Sequence, residues 1–263
     1  MATKKSQQTK SQVPPSPNVP AVRRETLPST INYGQVHAGA GMEQADRESF
    51  AIPFLSILQK MSPQLDRNAP EFIKGAVEGN ILNTASQEVY DGEEGILVIP
   101  VSFRRVFTAW TIREKGGGFK GEIPTDDPSI MTTRRDEKNR EILPDGQTQL
   151  NDTRVHGVIL LDGDRPIPAL LNMTSTQIKK SKRWMTQMQE KQQGDNLPTF
   201  AHIWKLTTIA ERNDKGSWMG WNIEHDGKVA EQEHYDAALS FYKALGSGAV
   251  KMRTDQTHGP SED

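Results

Sequence analysis

The chain has no cysteine among its 263 residues. That absence excludes disulfides, thiolate-bound zinc, iron–sulfur clusters and a cysteine nucleophile together, and it fits a reducing compartment. Neither sign of charge is in excess: 32 lysines and arginines against 34 aspartates and glutamates leave a net charge of -2. No global field draws nucleic acid or anionic membrane to this protein, so any such attraction comes from local patches. Long apolar runs are missing as well. The stretch from Gly95 to Val101 falls far short of the roughly 18 residues a membrane span needs, so no membrane partner is expected. Lys4 and Lys5 are followed by Ser, Gln and Thr, which is not the apolar core of a secretory signal. Apolar residues make up only 34%. Even with the 21 glycines counted in, the chain stays below the roughly 45–50% of ordinary globular proteins, so part of it is expected to be unfolded.

Three stretches follow from composition. Residues 1–46 carry Lys4, Lys5, Lys10, Arg23 and Arg24 with Pro14, Pro15, Pro17 and Pro20 and no large apolar run, a disordered basic arm. Residues 47–246 hold the folding signal, and 247–263 read as a flexible tail. Within the middle stretch, Phe50, Phe54, Ile57, Leu58 and Met61 have helical spacing and predict a short docked helix. Val77 to Asn83 is a weak strand, Gly95 to Phe103 a strong one, and the alternation from Val106 to Arg113 a third that pairs with its predecessor. Residues 114–153, with Gly116-Gly117-Gly118 and Asp126-Asp127-Pro128, form a long excursion. Val155 to Leu161 and Pro168 to Met173 are two further strands joined by a turn. A helix follows over 175–191, with Thr174, Ser175 and Thr176 offering caps, Ile178, Ser181, Met185 and Met188 on one stripe, and lysines opposite. Two strands joined by Asn213-Asp-Lys-Gly216 come next, and then a helix over 230–245 with Tyr235, Ala238, Leu239, Tyr242 and Leu245 on one stripe.

This order excludes the regular strand–helix alternation of a doubly wound sheet. The expected fold is α+β and mostly β: an OB-like antiparallel Greek-key barrel with an inter-strand helix, a C-terminal helix and disordered termini. An α+β sandwich of the same elements is the alternative.

Catalytic signatures are few. No G-x-x-x-x-G-K-[ST] loop is present, no H-E-x-x-H and no G-x-S-x-G. The six histidines are scattered, although His225 and His234 could pair with a carboxylate. Asp162 and Asp164 could ligate Mg²⁺, but a glycine between them and Arg-Pro after them favour a turn. No enzyme, metal or cofactor is expected.

Basic residues interleaved with aromatics do stand out. A single-strand surface needs cations for phosphates and ring faces for bases, each stack contributing about 1–3 kcal/mol. Arg104 and Arg105 sit between Phe103 and Phe107. If Trp110 faces the core, Phe107 and Arg105 face outward. Lys179, Lys180, Lys182 and Arg183 with Trp184 form the densest basic cluster, Trp218 lies opposite the Met219/Trp221/Ile223 face, and Trp204 and Lys205 extend the surface. Each has a plain structural reading beside the functional one: a solvated helix face for the lysines and core packing for the rings.

The stretches Asn172-Met-Thr-Ser-Thr-Gln-Ile-Lys-Lys-Ser-Lys-Arg-Trp-Met185 and Asn213-Asp-Lys-Gly-Ser-Trp-Met-Gly-Trp221 resemble those of a group of tailed-bacteriophage proteins associated with phage DNA metabolism. The resemblance covers about 47–246. It implies a phage protein of the host cytoplasm, similar to phage single-stranded DNA-binding proteins, with single-stranded DNA as partner in replication or recombination. Phage or host replication proteins and self-association into a homo-oligomer belong to the same implication. The acidic tail through which such proteins recruit partners is thin here, with Asp255, Glu262 and Asp263 beside Lys251 and Arg253. A phage protein-binding module, either a virion component or an inhibitor of a host enzyme, is the alternative function.

Overall fold

The computed structural model describes residues 51–247 apart from 164 and 215. The basic arm and the C-terminal tail expected from composition lie outside the described residues. Among the described residues eleven strands and two α-helices occur in the order β1 Leu55–Ile57, β2 Ile81–Asn83, β3 Val89–Tyr90, β4 Ile96–Thr111, β5 Phe119–Ile123, β6 Arg134–Arg135, β7 Glu141–Ile142, β8 Thr148–Asp162, β9 Arg165–Met173, α1 Ile178–Asp195, β10 His202–Asn213, β11 Gly216–Lys228 and α2 Gln232–Gly246. The fold is mostly antiparallel β, with a curled, barrel-like sheet and two helices.

The main sheet has the order β11-β10-β4-β8, with β9 on the far side of β8 and β5 beside β4. Along the chain these five long strands are first β4, second β8, third β9, fourth β10 and fifth β11, and α1 falls between the third and the fourth. The seam between β9 and β11 is spanned by the β1 segment. Phe54 makes a parallel bridge to Leu170, Leu170 N–H donates to the Pro53 carbonyl at 2.8 Å, and Gln59 reaches the backbone of Met219 on β11.

The helix expected over Phe50 to Met61 is therefore replaced, in its described part, by strand β1 paired with β2. The reason is burial on both sides. Phe54, Leu55 and Leu58 are all enclosed, and a short apolar run buried all round carries no diagnostic period. The two strands expected over 95–113 are likewise one 16-residue strand, not a hairpin. Its alternation breaks because the register to β8 shifts between Pro100 and Ser102. Pro100 has no N–H for the ladder, and a bulge is where a strand tolerates it.

That bulge puts Ile96 and Val98 on the same sheet face as Phe103, Arg105 and Phe107, with Val106 and Trp110 on the other. Arg105 and Phe107 thus lie opposite Trp110, as their alternation suggests. The enclosed face packs Val98, Val158, Leu160, Leu171, Trp204 and Trp221 against Trp184 and Met188 of α1. The outer face packs Ile99, Val101 and Ile159 against Ala238 and Phe241 of α2. The buried stripe of α2 is His234, Ala238, Phe241 and Ala244, one position away from the expected stripe, so Tyr242 is exposed and lies tilted beside Phe200. The caps expected from Thr174, Ser175 and Thr176 do not form: a 3-10 turn, Ser175–Gln177, precedes α1, and neither it nor α1, which begins at Ile178, has a side-chain cap.

The stretch expected as an excursion is threaded with short structure. β5 adds to the distal half of β4, β7 adds to β8, and ion pairs hold the rest: Glu114 with Lys138 and Arg140, Arg140 with Asp136, and Arg135 with Glu141.

Candidate nucleic-acid interface

Two groups of the expected surface residues come together. The first surrounds Glu211 on β10. Its carboxylate accepts from Lys180 Nζ at 2.8 Å, from Trp218 Nε1 at 3.0 Å and from Gln177 Nε2 at 3.3 Å. Gln177 Oε1 in turn accepts from the Trp221 amide at 3.0 Å. These bonds, the lysine foremost among the charged ones, hold the Glu211 carboxyl below its usual range against the effect of burial. The start of α1 is thereby tied to the end of the β10–β11 hairpin. Lys179, Lys182 and Arg183 are exposed on the helix face turned away from Ser181 and Trp184. Trp218 is half-buried, with its indole nitrogen fixed and Glu211 beside it.

The sequence of α1 places its cations where a helix least tolerates them. Its first turn holds Lys179 and Lys180 and no acid, and the positive end of the helix dipole disfavours each such cation by about 0.3–1 kcal/mol. Glu211 compensates for Lys180 alone. Lys179, Lys182 and Arg183 make no ion pair among the described residues.

The second group lies on the β4–β8 hairpin. Arg105 is held by Asp152 through Nε at 2.9 Å and Nη2 at 2.8 Å, and its guanidinium carbon stands 5.3 Å from the centroid of Phe107. Asp152 also accepts from Arg154 at 3.1 Å. Beside them opens a cleft of about 370 Å³ whose walls include Ile130, Arg135, Glu141 and Leu150. Arg104, on the opposite face, is clamped by Glu122 through two bonds of 2.5 and 2.6 Å.

Phe103 is 38% exposed and packs at a tilt of 56° against His156, with ring centroids 5.1 Å apart. His156 is buried, bonded to Ser181 Oγ at 2.8 Å and packed on Trp184 at 4.7 Å. Burial, helped by the nearby Arg154 charge, pushes its imidazole down to about 3. It is neutral and structural.

Two expected ring faces are not available. Trp184 is 0% exposed and Trp204 1% exposed. They meet edge to face with centroids 6.1 Å apart, so both are core residues with no ring face open to solvent. The basic and apolar sides of α1 meet one residue away from where its spacing suggests, which turns Trp184 inward. Lys205 is half-buried on β10 opposite Glu224. Residues that sequence reasoning passed over are Phe103, Arg135, Arg154 and Ile130. The first was visible as an aromatic beside two arginines; Arg154 joins through Asp152 on its own strand, and Arg135 and Ile130 depend on how the 128–142 segment folds back.

Asp162 accepts from Arg165, and Asp164 is outside the described residues. Among the described residues no group of three or more His, Asp or Glu could hold a metal ion. His234 Nε2 does stand 3.6 Å from a carboxylate, that of Glu231, whereas His225 meets His202 at 3.3 Å. No helix among the described residues is long and apolar enough to cross a membrane.

A family described as Pam3 phage gp34-like protein matches residues 21–251. The chain belongs to this family. The family is a bacteriophage one, as the resemblance of the 172–185 and 213–221 stretches implies, and the match takes in every element of the fold from β1 to α2. No curated protein and no solved structure matches the chain.

Proposed function

We propose that this phage protein is a sequence-tolerant single-stranded DNA-binding protein of replication or recombination, built on an OB-type barrel. The strand order β11-β10-β4-β8-β9, with a helix between the third and fourth strands of the chain, supports the OB reading, with β1 and Gln59 standing where third and fifth strands would otherwise meet. Barrels of that type take oligonucleotides on the face of strands two and three and on the loops joining strands one to two and four to five. Here those are β8 and β9, the 112–147 segment and the turn before β11.

The observation that carries the reading is the Glu211 junction. It fixes an aromatic ring, Trp218, beside a helix whose exposed face holds Lys179, Lys182 and Arg183. Phosphates supply the counter-charge those cations lack, and their neutralisation releases bound counterions. Arg104 and Arg105, already paired with carboxylates, add less to that release. Phe103, Phe107 and Trp218 are the stacking faces. Binding requires no catalysis or cofactor, the site of action is the host cytoplasm, and phage or host replication proteins are the further partners.

The test is fluorescence anisotropy of a labelled single-stranded oligonucleotide against salt, with a duplex competitor. Tight binding that prefers the single strand is expected, and replacing Lys179, Lys182 and Arg183 together by alanine should lower the salt slope by about 2, at about 0.7 per phosphate. No binding at low salt overturns the reading and favours the protein-binding module instead.

A further inference from the structure

We infer, resting on that single-strand reading, that the cleft beside the β4–β8 hairpin is a seat for one unstacked nucleobase. Its charges cancel: Arg105 is paired with Asp152 and Arg135 with Glu141, and all four line the same space. Such a cleft is a poor trap for a bare phosphate. It favours a neutral planar group that both donates and accepts along its edge, and a nucleobase has that chemistry.

The walls suit it. Arg105 is held flat by its two bonds to Asp152, so little side-chain freedom is lost when a ring stacks on it. Its Nη1 makes no hydrogen bond among the described residues and is free to meet a base carbonyl. Phe107 adds a ring face, and Ile130 and Leu150 add apolar contact. Arg135 is fixed by Glu141 at 2.6 Å and by Asn139 at 3.4 Å, and its Nη2 makes no hydrogen bond among the described residues, which leaves it as a donor to a base edge. The volume of about 370 Å³ accommodates a base with its sugar. Ile130 belongs to a 3-10 turn, Pro128–Thr132, whose next residue Met131 is 88% exposed, so the cleft opens beside an apolar residue that can cover a seated base.

The experiment uses the full chain and two kinds of probe. Saturation-transfer NMR with adenosine, guanosine, cytidine and thymidine at millimolar concentration, and inorganic phosphate as comparison, reads the cleft without DNA. Anisotropy compares a single-stranded oligonucleotide with an abasic strand of equal length. The expected result is transfer to nucleosides that Phe107→Ala abolishes, displacement of none of it by phosphate, and a base-bearing strand bound about fivefold to a hundredfold more tightly than the abasic one. Phe107→Ala should close most of that gap without changing the salt slope. Ile130→Trp, which fills the cleft from a surface turn and leaves β4 intact, should do the same if Phe107→Ala fails to fold. Absence of nucleoside transfer to the folded wild-type chain overturns the inference even if oligonucleotides bind. Nucleoside transfer with no oligonucleotide binding upholds the cleft and overturns the single-strand reading.

Discussion

Gln59 hydrogen-bonds the backbone of Met219 with both ends of its side-chain amide: Nε2 donates to the carbonyl at 2.8 Å and Oε1 accepts from the amide N–H at 2.9 Å. One side chain thus does what a neighbouring strand would do for β11, at the seam where β9 and β11 do not pair. Gln59→Leu removes both bonds and leaves the two backbone groups of Met219 without a protein partner. A loss of about 1–3 kcal/mol is expected, read as a lower urea midpoint with an unchanged slope, together with faster hydrogen exchange at the Met219 amide.

The close approach of Gly92 to its neighbours makes a second prediction. A Cβ on Gly92 would lie 2.0 Å from the Gly79 carbonyl oxygen and 2.2 Å from Thr208 Oγ1, and Thr208 Oγ1 already donates to that same carbonyl at 2.7 Å. The nearest obstacle is backbone, which cannot swing aside. Gly92→Ala should cost about 1–3 kcal/mol or more, whereas Gly194→Ala on α1, where a Cβ meets nothing within 4 Å, should be neutral or stabilising. Thermal unfolding of the two variants side by side checks this.

How much of this was legible in the sequence depends on which signal each element carried. The 175–191 helix, with its place between the third and fourth long strands, and the β8–β9 and β10–β11 hairpins were readable because period and turn chemistry agree there. β1 was not, since Phe54, Leu55 and Leu58 are enclosed from both sides and lose any period. The bulge at Pro100 shifts the phase of β4 and made one strand look like two. At the site, spacing placed Lys179, Lys182, Arg183 and Trp218 on a surface. It could not separate Trp184 from the basic face, because a tryptophan at the edge of an amphipathic stripe turns inward or outward according to what the sheet offers. What the sheet offers is His156 and Trp204. The Glu211 junction joins residues 180, 211 and 218, and no local pattern announces it.

Stability should fall on mild acidification, with histidine as the cause. The native imidazole of His156 is pushed down to about 3 from an ordinary 6.5 by burial and by Arg154, and His202 and His225 are also lowered, chiefly by burial. In the unfolded chain these groups take up protons from about pH 6.5 downward while the native protein does not. Their contribution is therefore complete above about pH 6.5 and is lost progressively as pH falls toward the native value, at up to about 1.4 kcal/mol per pH unit for each proton. Glu114, held at about 2 by Lys138 and Arg140, and Asp145, held at about 2 by Thr148, act with the same sign only in the carboxylate range. Urea midpoints between pH 7 and pH 5 isolate the histidines. His156→Gln, which can still meet Ser181, should flatten that slope; an unchanged slope would show that His156 is charged in the native state.

The tryptophans offer the sharpest separation of surface from core. Trp218 is tethered by its indole nitrogen to Glu211 and keeps part of its ring exposed, while Trp184 and Trp204 are enclosed. Trp218→Ala should therefore cost about 1–2 kcal/mol of stability through the lost bond to Glu211 and weaken single-strand binding by about 1–3 kcal/mol, with most of the DNA-induced quenching of tryptophan emission lost. Trp184→Ala should weigh the other way, costing about 3–5 kcal/mol of stability through the cavity it opens against Trp204 and His156. Glu211→Gln discriminates further. It frees Lys180 from its carboxylate while a side-chain oxygen still accepts from Trp218, so affinity for DNA should rise at low salt and the salt slope should steepen. If affinity falls instead, Glu211 positions Lys180 and Trp218 for the ligand, and the cost of releasing that cation exceeds the charge gained.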